Sequence, residues 1–157
     1  MAIESVQNLK EETIEKLQDL IRANIDSYKG FKQASEKVEN EHLKDLFCTL
    51  ATERSEQATQ LQKYVELNHE DAEDDGSYAA AGHRAWVSLR AAISDGDNYA
   101  MLAEAERGED YIKGLYEKVL VDIAGNALSD VLHQQYSQVK ATHDRIRDLR
   151  DSLKDNE

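Results

Sequence analysis

The chain contains no proline in 157 residues, and only seven glycines. Proline is the residue that most strongly ends a helix, because it lacks a backbone N–H and its ring collides with the preceding turn. A chain without it can stay helical over long distances. Ala, Leu, Glu, Gln, Lys and Arg, the better helix formers, supply much of what is there. The expectation is an all-α fold. At 157 residues and 40% apolar content, residues 1–157 suit a single domain with one core.

Apolar spacing divides this helical chain. Steps of alternating four and three residues trace a seam through Ile14, Leu17, Ile21, Asn24, Tyr28, Phe31 and Ser35. The pattern stumbles at VENEHL, where Asn40 reads as an N-cap, and resumes through Leu43, Phe47, Leu50, Arg54, Gln57, Leu61 and Tyr64. These two seams predict an antiparallel helix pair. NHEDAEDDGS, residues 68–77, is acidic and closed by Gly76, but lacks the ligand order and terminal glutamate spacing of a calcium-binding EF-hand loop. It reads as a solvated loop. A short helical pattern follows through Ala79, Trp86, Leu89 and Ile93 until SDGD, 94–97, stops it. Because Trp86, Leu89 and Ile93 share a face, Trp86 is expected to be largely buried, with this helix laid over one end or side of the bundle.

The third long seam runs through Leu102, Ala105, Glu109, Ile112, Tyr116, Val119 and Ile123, and AGN, 124–126, breaks it. The fourth passes through Leu128, Leu132, Gln135, Val139, Thr142, Ile146, Leu149 and Leu153. The predicted architecture is a four-helix bundle with helices at about 4–38, 41–67, 97–123 and 127–154. The crossover, 68–96, carries a short helix at about 79–93 and is long enough to span the bundle's height.

A formal charge of −13, with no dense basic stripe, repels phosphates and anionic lipid. Nucleic acid and membrane surfaces are therefore discounted as direct partners. The opening MAIESVQNLKEETIEK has no basic stretch leading into an apolar one, so a cytoplasmic location is expected. Cys48 is the lone cysteine, which rules out an intramolecular disulfide or a thiolate metal cluster from one chain. A homo-oligomer is compatible with the sequence, which names no protein partner.

EAERGEDYIKGLYE, residues 104–117, places five carboxylates in one helical stretch. Only Glu109 among them falls on the apolar seam; Glu104, Glu106, Asp110 and Glu117 are expected on the flanks or in water. Each other long helix also has polar residues in its seam: Asn24, then Arg54 and Gln57, then Gln135 and Thr142, with His143 at the edge. Helical rise puts Asn24 and Arg54 both roughly 20–23 Å from the first turn, and brings Glu109 near the same height. The predicted site is a buried polar layer of Asn24, Arg54, Gln57, Glu109, Gln135, Thr142 and His143. A glutamate in an apolar interior must stay protonated or find a cation, and Arg54 offers a permanently charged, planar partner.

The second reading makes such residues metal ligands, because carboxylates and imidazoles projecting into a bundle core build di-iron and di-manganese centres. Its donors would be Glu53, Glu56, Glu109 and His143. The paired Glu-x-x-His such centres require is absent, since Glu53-Arg54-Ser55-Glu56 and Lys140-Ala141-Thr142-His143 each have one wrong residue. No cofactor is therefore expected, with iron or manganese as the alternative. His83, Arg84 and Trp86 in GHRAWVSLR form a further cluster that could hold an anion or a ring, though capping the bundle is the commoner role. His42, His69 and His133 make no ligand cluster. Tyr28, Tyr64, Tyr116 and Tyr136 recur on inner faces, and no nucleophile with its base and no phosphate-binding glycine loop is visible.

DSYKGF, LATERSEQATQLQ, GHRAWVSLR, AERGEDYIKGLYE and KATHDRIRDLRD occur in that order. Through them the chain resembles a bacterial family of uncharacterised four-helix-bundle proteins grouped with the ferritin-like superfamily. The resemblance implies an up-down-down-up bundle with a long crossover and a stress association without an established activity. It also implies that Arg54, Glu109, Tyr116, His143 and the His83, Arg84, Trp86 group are the family's matching positions. The superfamily's Glu-x-x-His pair is where this sequence departs, which puts ferroxidase activity and iron storage in doubt.

Overall fold

The structure is a computed structural model that describes residues 5–74 and 80–155, side chains excepted at 80–85 and 154–155. It is all-helical, with five helices in order: α1, Glu11–Lys37; α2, Glu41–Leu67; α3, Ala80–Asp95; α4, Asn98–Asp122; and α5, Ser129–Asp155. No strand occurs among the described residues; Ser5 and Asn8 form an isolated bridge.

Side chains at the helix ends explain the breaks. Asn40 caps α2 by accepting from the Leu43 N–H at 3.1 Å, and Asp97 caps α4 by accepting from Ala100 at 3.1 Å. Gly96 and Gly125 take positive φ, 68° and 80°, where a side chain would be strained, and so reverse the chain before α4 and after it. α1 begins at Glu11, seven residues later than the start expected at about residue 4. The reason is tertiary. Asn68, just past α2, accepts from the Leu9 N–H at 2.8 Å and donates to the Val6 carbonyl at 2.9 Å, holding this segment away from helix.

Cross-helix contacts fix the directions. Lys16 of α1 meets Asp122 of α4, and Asn24 meets Tyr116, so these helices run antiparallel. Arg54 of α2 meets both Glu109 of α4 and Thr142 of α5, while Gln57 reaches back to Gln138. Four long helices thus gather in a bundle around a common interior. The core has two apolar clusters. One holds Leu17, Leu20, Ile21, Leu61, Ile112 and Val119; the other holds Phe31, Phe47, Leu50, Leu89, Leu102 and Ile146.

α3 lies against α1 and α4. Its Trp86 enters a notch made by two glycines. A methyl group on Gly30 would come within 2.4 Å of the indole, and one on Gly108 within 3.2 Å. Phe31 meets the same indole edge-on at 5.0 Å. Trp86 is thus partly buried, packed against the second of the two apolar clusters with α3 laid along the side of the bundle, as its shared face with Leu89 predicts. His83 and Arg84 lie outside the described side chains. The stretch 71–74 is tethered: Gln18 donates to the Asp71 carbonyl and Gln62 to the Glu73 carbonyl, at 2.8 and 2.9 Å.

Candidate functional site

Among the described residues, Arg54 and Glu109 are charged residues with no exposed side-chain surface, 0% each, and they face one another. The guanidinium is bidentate. Nη2 donates to Glu109 Oε2 at 2.5 Å and Nε to Oε1 at 3.3 Å. Its remaining edge is used as well: Nη1 donates to Gln57 Oε1 at 3.0 Å, and Nη2 also reaches Thr142 Oγ1 at 2.7 Å. Thr142 Oγ1 stands 2.9 Å from both Glu109 Oε2 and the Val139 carbonyl, so its single proton serves one of the two. The pair is therefore enclosed by hydrogen bonds from three helices.

A relay of amides extends it. Gln57 donates to Gln138 Oε1 at 3.0 Å, and Gln135 donates to Gln60 Oε1 at 2.7 Å. Tyr116 donates its hydroxyl proton to Gln135 Oε1 at 2.7 Å and accepts from Asn24 Nδ2 at 2.9 Å. Helical side chains lean toward the N-terminus, so Tyr116 carries its hydroxyl back toward the Glu109 level, where Asn24 can reach it. Burial holds the Tyr116 phenol far above its ordinary range, so it remains a neutral donor. Asn24 Oδ1 is buried without a partner.

His143 is buried but belongs to a different grouping. Its Nε2 lies 2.6 Å from Asp110 and 3.6 Å from Glu106, and its Nδ1 lies 3.0 Å from Asp144. Glu106 is itself buried and also pairs with Arg150 of α5, against the expectation that it points to the flank or to water. It stands one position off the seam, and the α4–α5 contact is wide enough to cover it. A sequence signal existed: Glu106 and Asp110, four apart, form an acidic edge, while His143 and Arg150, seven apart, form a basic one.

The donors Glu53, Glu56, Glu109 and His143 do not fit a two-metal centre. Both Glu109 oxygens are occupied by Arg54, Glu56 is exposed, and His143 faces Glu106 and Asp110. Glu53 is half-buried. Burial pushes its carboxyl above the ordinary carboxylate range, with Arg54 opposing and Glu109 adding to the shift. Among the described residues, neither the acidic stretch 70–74 nor Cys48, which is exposed, gathers such donors.

A sealed ion pair, an amide relay and helices on every side define a helical-bundle protein with a closed polar interior. The chain belongs to the family described as Domain of unknown function (DUF2383), whose model matches residues 12–122. That span runs from the start of α1 to the end of α4, and includes Asn24, Arg54, Gln57 and Glu109; α5 lies beyond it. No curated protein matches the chain.

Proposed function

We propose that this protein is a non-enzymatic helical bundle of ferritin-like connectivity, working in a bacterial cytoplasm as an interaction or stress-associated protein. The observation that carries the reading is the Arg54 guanidinium on both oxygens of Glu109. A bundle core that catalyses oxygen or peroxide chemistry needs carboxylates turned toward metal, whereas here a permanent organic cation takes that place. A buried polar layer of this kind adds little net stability but penalises helix registers that would leave a charge unpaired. Binding is then left to the outer surface, where net charge −13 favours basic or neutral protein partners over nucleic acid or anionic membranes. No helix among the described residues is long and apolar enough to cross a membrane.

The runner-up is a carboxylate-bridged iron or manganese protein handling iron, oxygen or peroxide. One observation favours it: a buried oxygen of Glu53 has no partner, and Glu109 adds to the upward shift of that carboxyl. A double-mutant cycle separates the two readings. Arg54→Leu and Glu109→Leu should each cost roughly 3–5 kcal/mol in urea unfolding, and the double variant should recover much of the loss, with or without chelator. Near-zero coupling would refute the closed ion pair. Coupling seen only with metal present would transfer the assignment to the metal reading.

A further inference from the structure

The two ring nitrogens of His143 meet only acids. Nδ1 lies 3.0 Å from Asp144 Oδ1, and an ionised carboxylate can only accept, so the proton on that side belongs to the ring. Nε2 points the other way, 2.6 Å from Asp110 Oδ1 and 3.6 Å from Glu106 Oε1. A neutral ring protonated at Nδ1 therefore aims its Nε2 lone pair at two more acceptors. Three electron-rich atoms then converge, with the Arg150 guanidinium engaged on the other oxygen of Glu106. The geometry calls for a cation there, either a second ring proton or a metal ion.

The donor set suits the metal. The three atoms lie within 4.8 Å of one another, a convergence found for this group among the described residues. Donors about 2.0–2.2 Å from a tetrahedral ion stand roughly 3.3–3.6 Å apart. The His143 to Glu106 separation of 3.6 Å already matches. Asp110, whose side chain is 60% exposed, needs to swing outward by about an ångström to do the same. The surroundings hold the other two donors. Arg150 grips Glu106 by Oε2, which leaves Oε1 for an ion, and Asp144 on Nδ1 fixes the tautomer whose Nε2 can ligate. Glu106 and His143 are nearly enclosed, while the exposed Asp110 gives a route of entry and room for water ligands.

We propose that Glu106, Asp110 and His143 form a mononuclear site for a divalent first-row transition-metal ion that joins α4 to α5. One imidazole nitrogen and two carboxylate oxygens suit zinc, manganese, iron(II) or cobalt better than a soft ion such as Cu(I). The site is independent of the Arg54–Glu109 layer, whose carboxylate is turned toward Arg54.

The test uses the full-length protein, freed of metal by chelator and then dialysed. Zinc titration by calorimetry should give one ion per chain, and cobalt(II) should produce visible d–d absorption. Asp110→Asn should weaken zinc binding at least about tenfold and His143→Gln about a hundredfold or more, with the cobalt band lost. Asp110 is exposed, so Asp110→Asn is expected to keep the fold, which helical circular dichroism checks for both variants. Absence of zinc binding up to millimolar concentration would overturn the site, leaving the ring proton as its cation. Binding that survives both substitutions would overturn it as well, by placing the metal elsewhere.

Discussion

Arg54–Glu109 and Arg150–Glu106 join the same two residue types, one pair across α2 and α4, the other across α4 and α5, and they differ mainly in water. The first has 0% exposure on both side chains; the second retains 25% on the arginine and 12% on the glutamate. In the first, hydrogen bonds from Gln57 and Thr142 replace solvent around the guanidinium and the carboxylate. In the second, solvent still does part of that work, and Asp151 and His143 compete for the same charges. The contrast shows that an ion pair's energetic weight depends less on its own geometry than on what becomes of either partner when the other is removed. A Glu106 left without Arg150 still has His143 beside it and some solvent, whereas a Glu109 left without Arg54 has nowhere to go.

The sharpest way to break the comparison is to make one substitution in both places. Arg54→Leu should cost roughly 3–5 kcal/mol by urea unfolding, since it strands Glu109 in the core. Should Arg54→Leu prove as mild as a surface change, water must reach the mid-bundle layer and the distinction collapses. Tyr116→Phe comes next. It removes the hydroxyl linking Asn24 to Gln135, leaves both amides a partner short, and should cost about 1–3 kcal/mol. A neutral result there would mean that a water molecule takes the hydroxyl's place. Arg150→Leu should cost under about 1 kcal/mol, and that cost should shrink further as sodium chloride is raised. A salt-independent loss would instead mark the α4–α5 edge as a second dry site.

The smallest effect concerns Glu53, which lies between these extremes. Burial raises its folded carboxyl above the ordinary range, so in the interval between the two pKa values the folded chain binds more protons than the unfolded one. Stability from this group is thus fully present below the ordinary carboxylate range and is lost as pH rises through the raised value. Glu53→Gln should therefore increase the denaturation midpoint at pH 7, with the gain vanishing toward pH 4. A gain that persists at low pH would assign the effect to packing rather than to charge.

The helical class was legible because nothing in the chain argues against helix: proline is absent, and the glycines at 96 and 125 fall where reversals occur. Arg54 and Glu109 stood out because each interrupts an apolar seam, and a seam is a statement about burial. Glu106 did not, since a residue one place off a seam is covered or bare according to how far each helix is rotated about its own axis, which spacing along one helix does not record. The companionship of His143 with Asp110 rather than Glu109 depends on that same rotation. The late start of α1 had only a faint local sign: stepped back from Ile14, its seam lands on Lys10 and Gln7, both polar. The contact that keeps Val6 and Leu9 out of the helix comes from Asn68, some sixty residues away in the chain, which spacing does not show.

The glycine-lined notch that receives Trp86 makes the protein its own optical gauge. The chain has one tryptophan, and it is carried by the crossover helix, whose seat against α1 and α4 it fills. Indole emission therefore reports whether α3 is seated, while circular dichroism reports mainly the long helices. If α3 detaches as a separate cooperative unit, the two signals will follow different curves in denaturant, the emission shifting first. Superimposed curves would mean that the crossover leaves only when the bundle does.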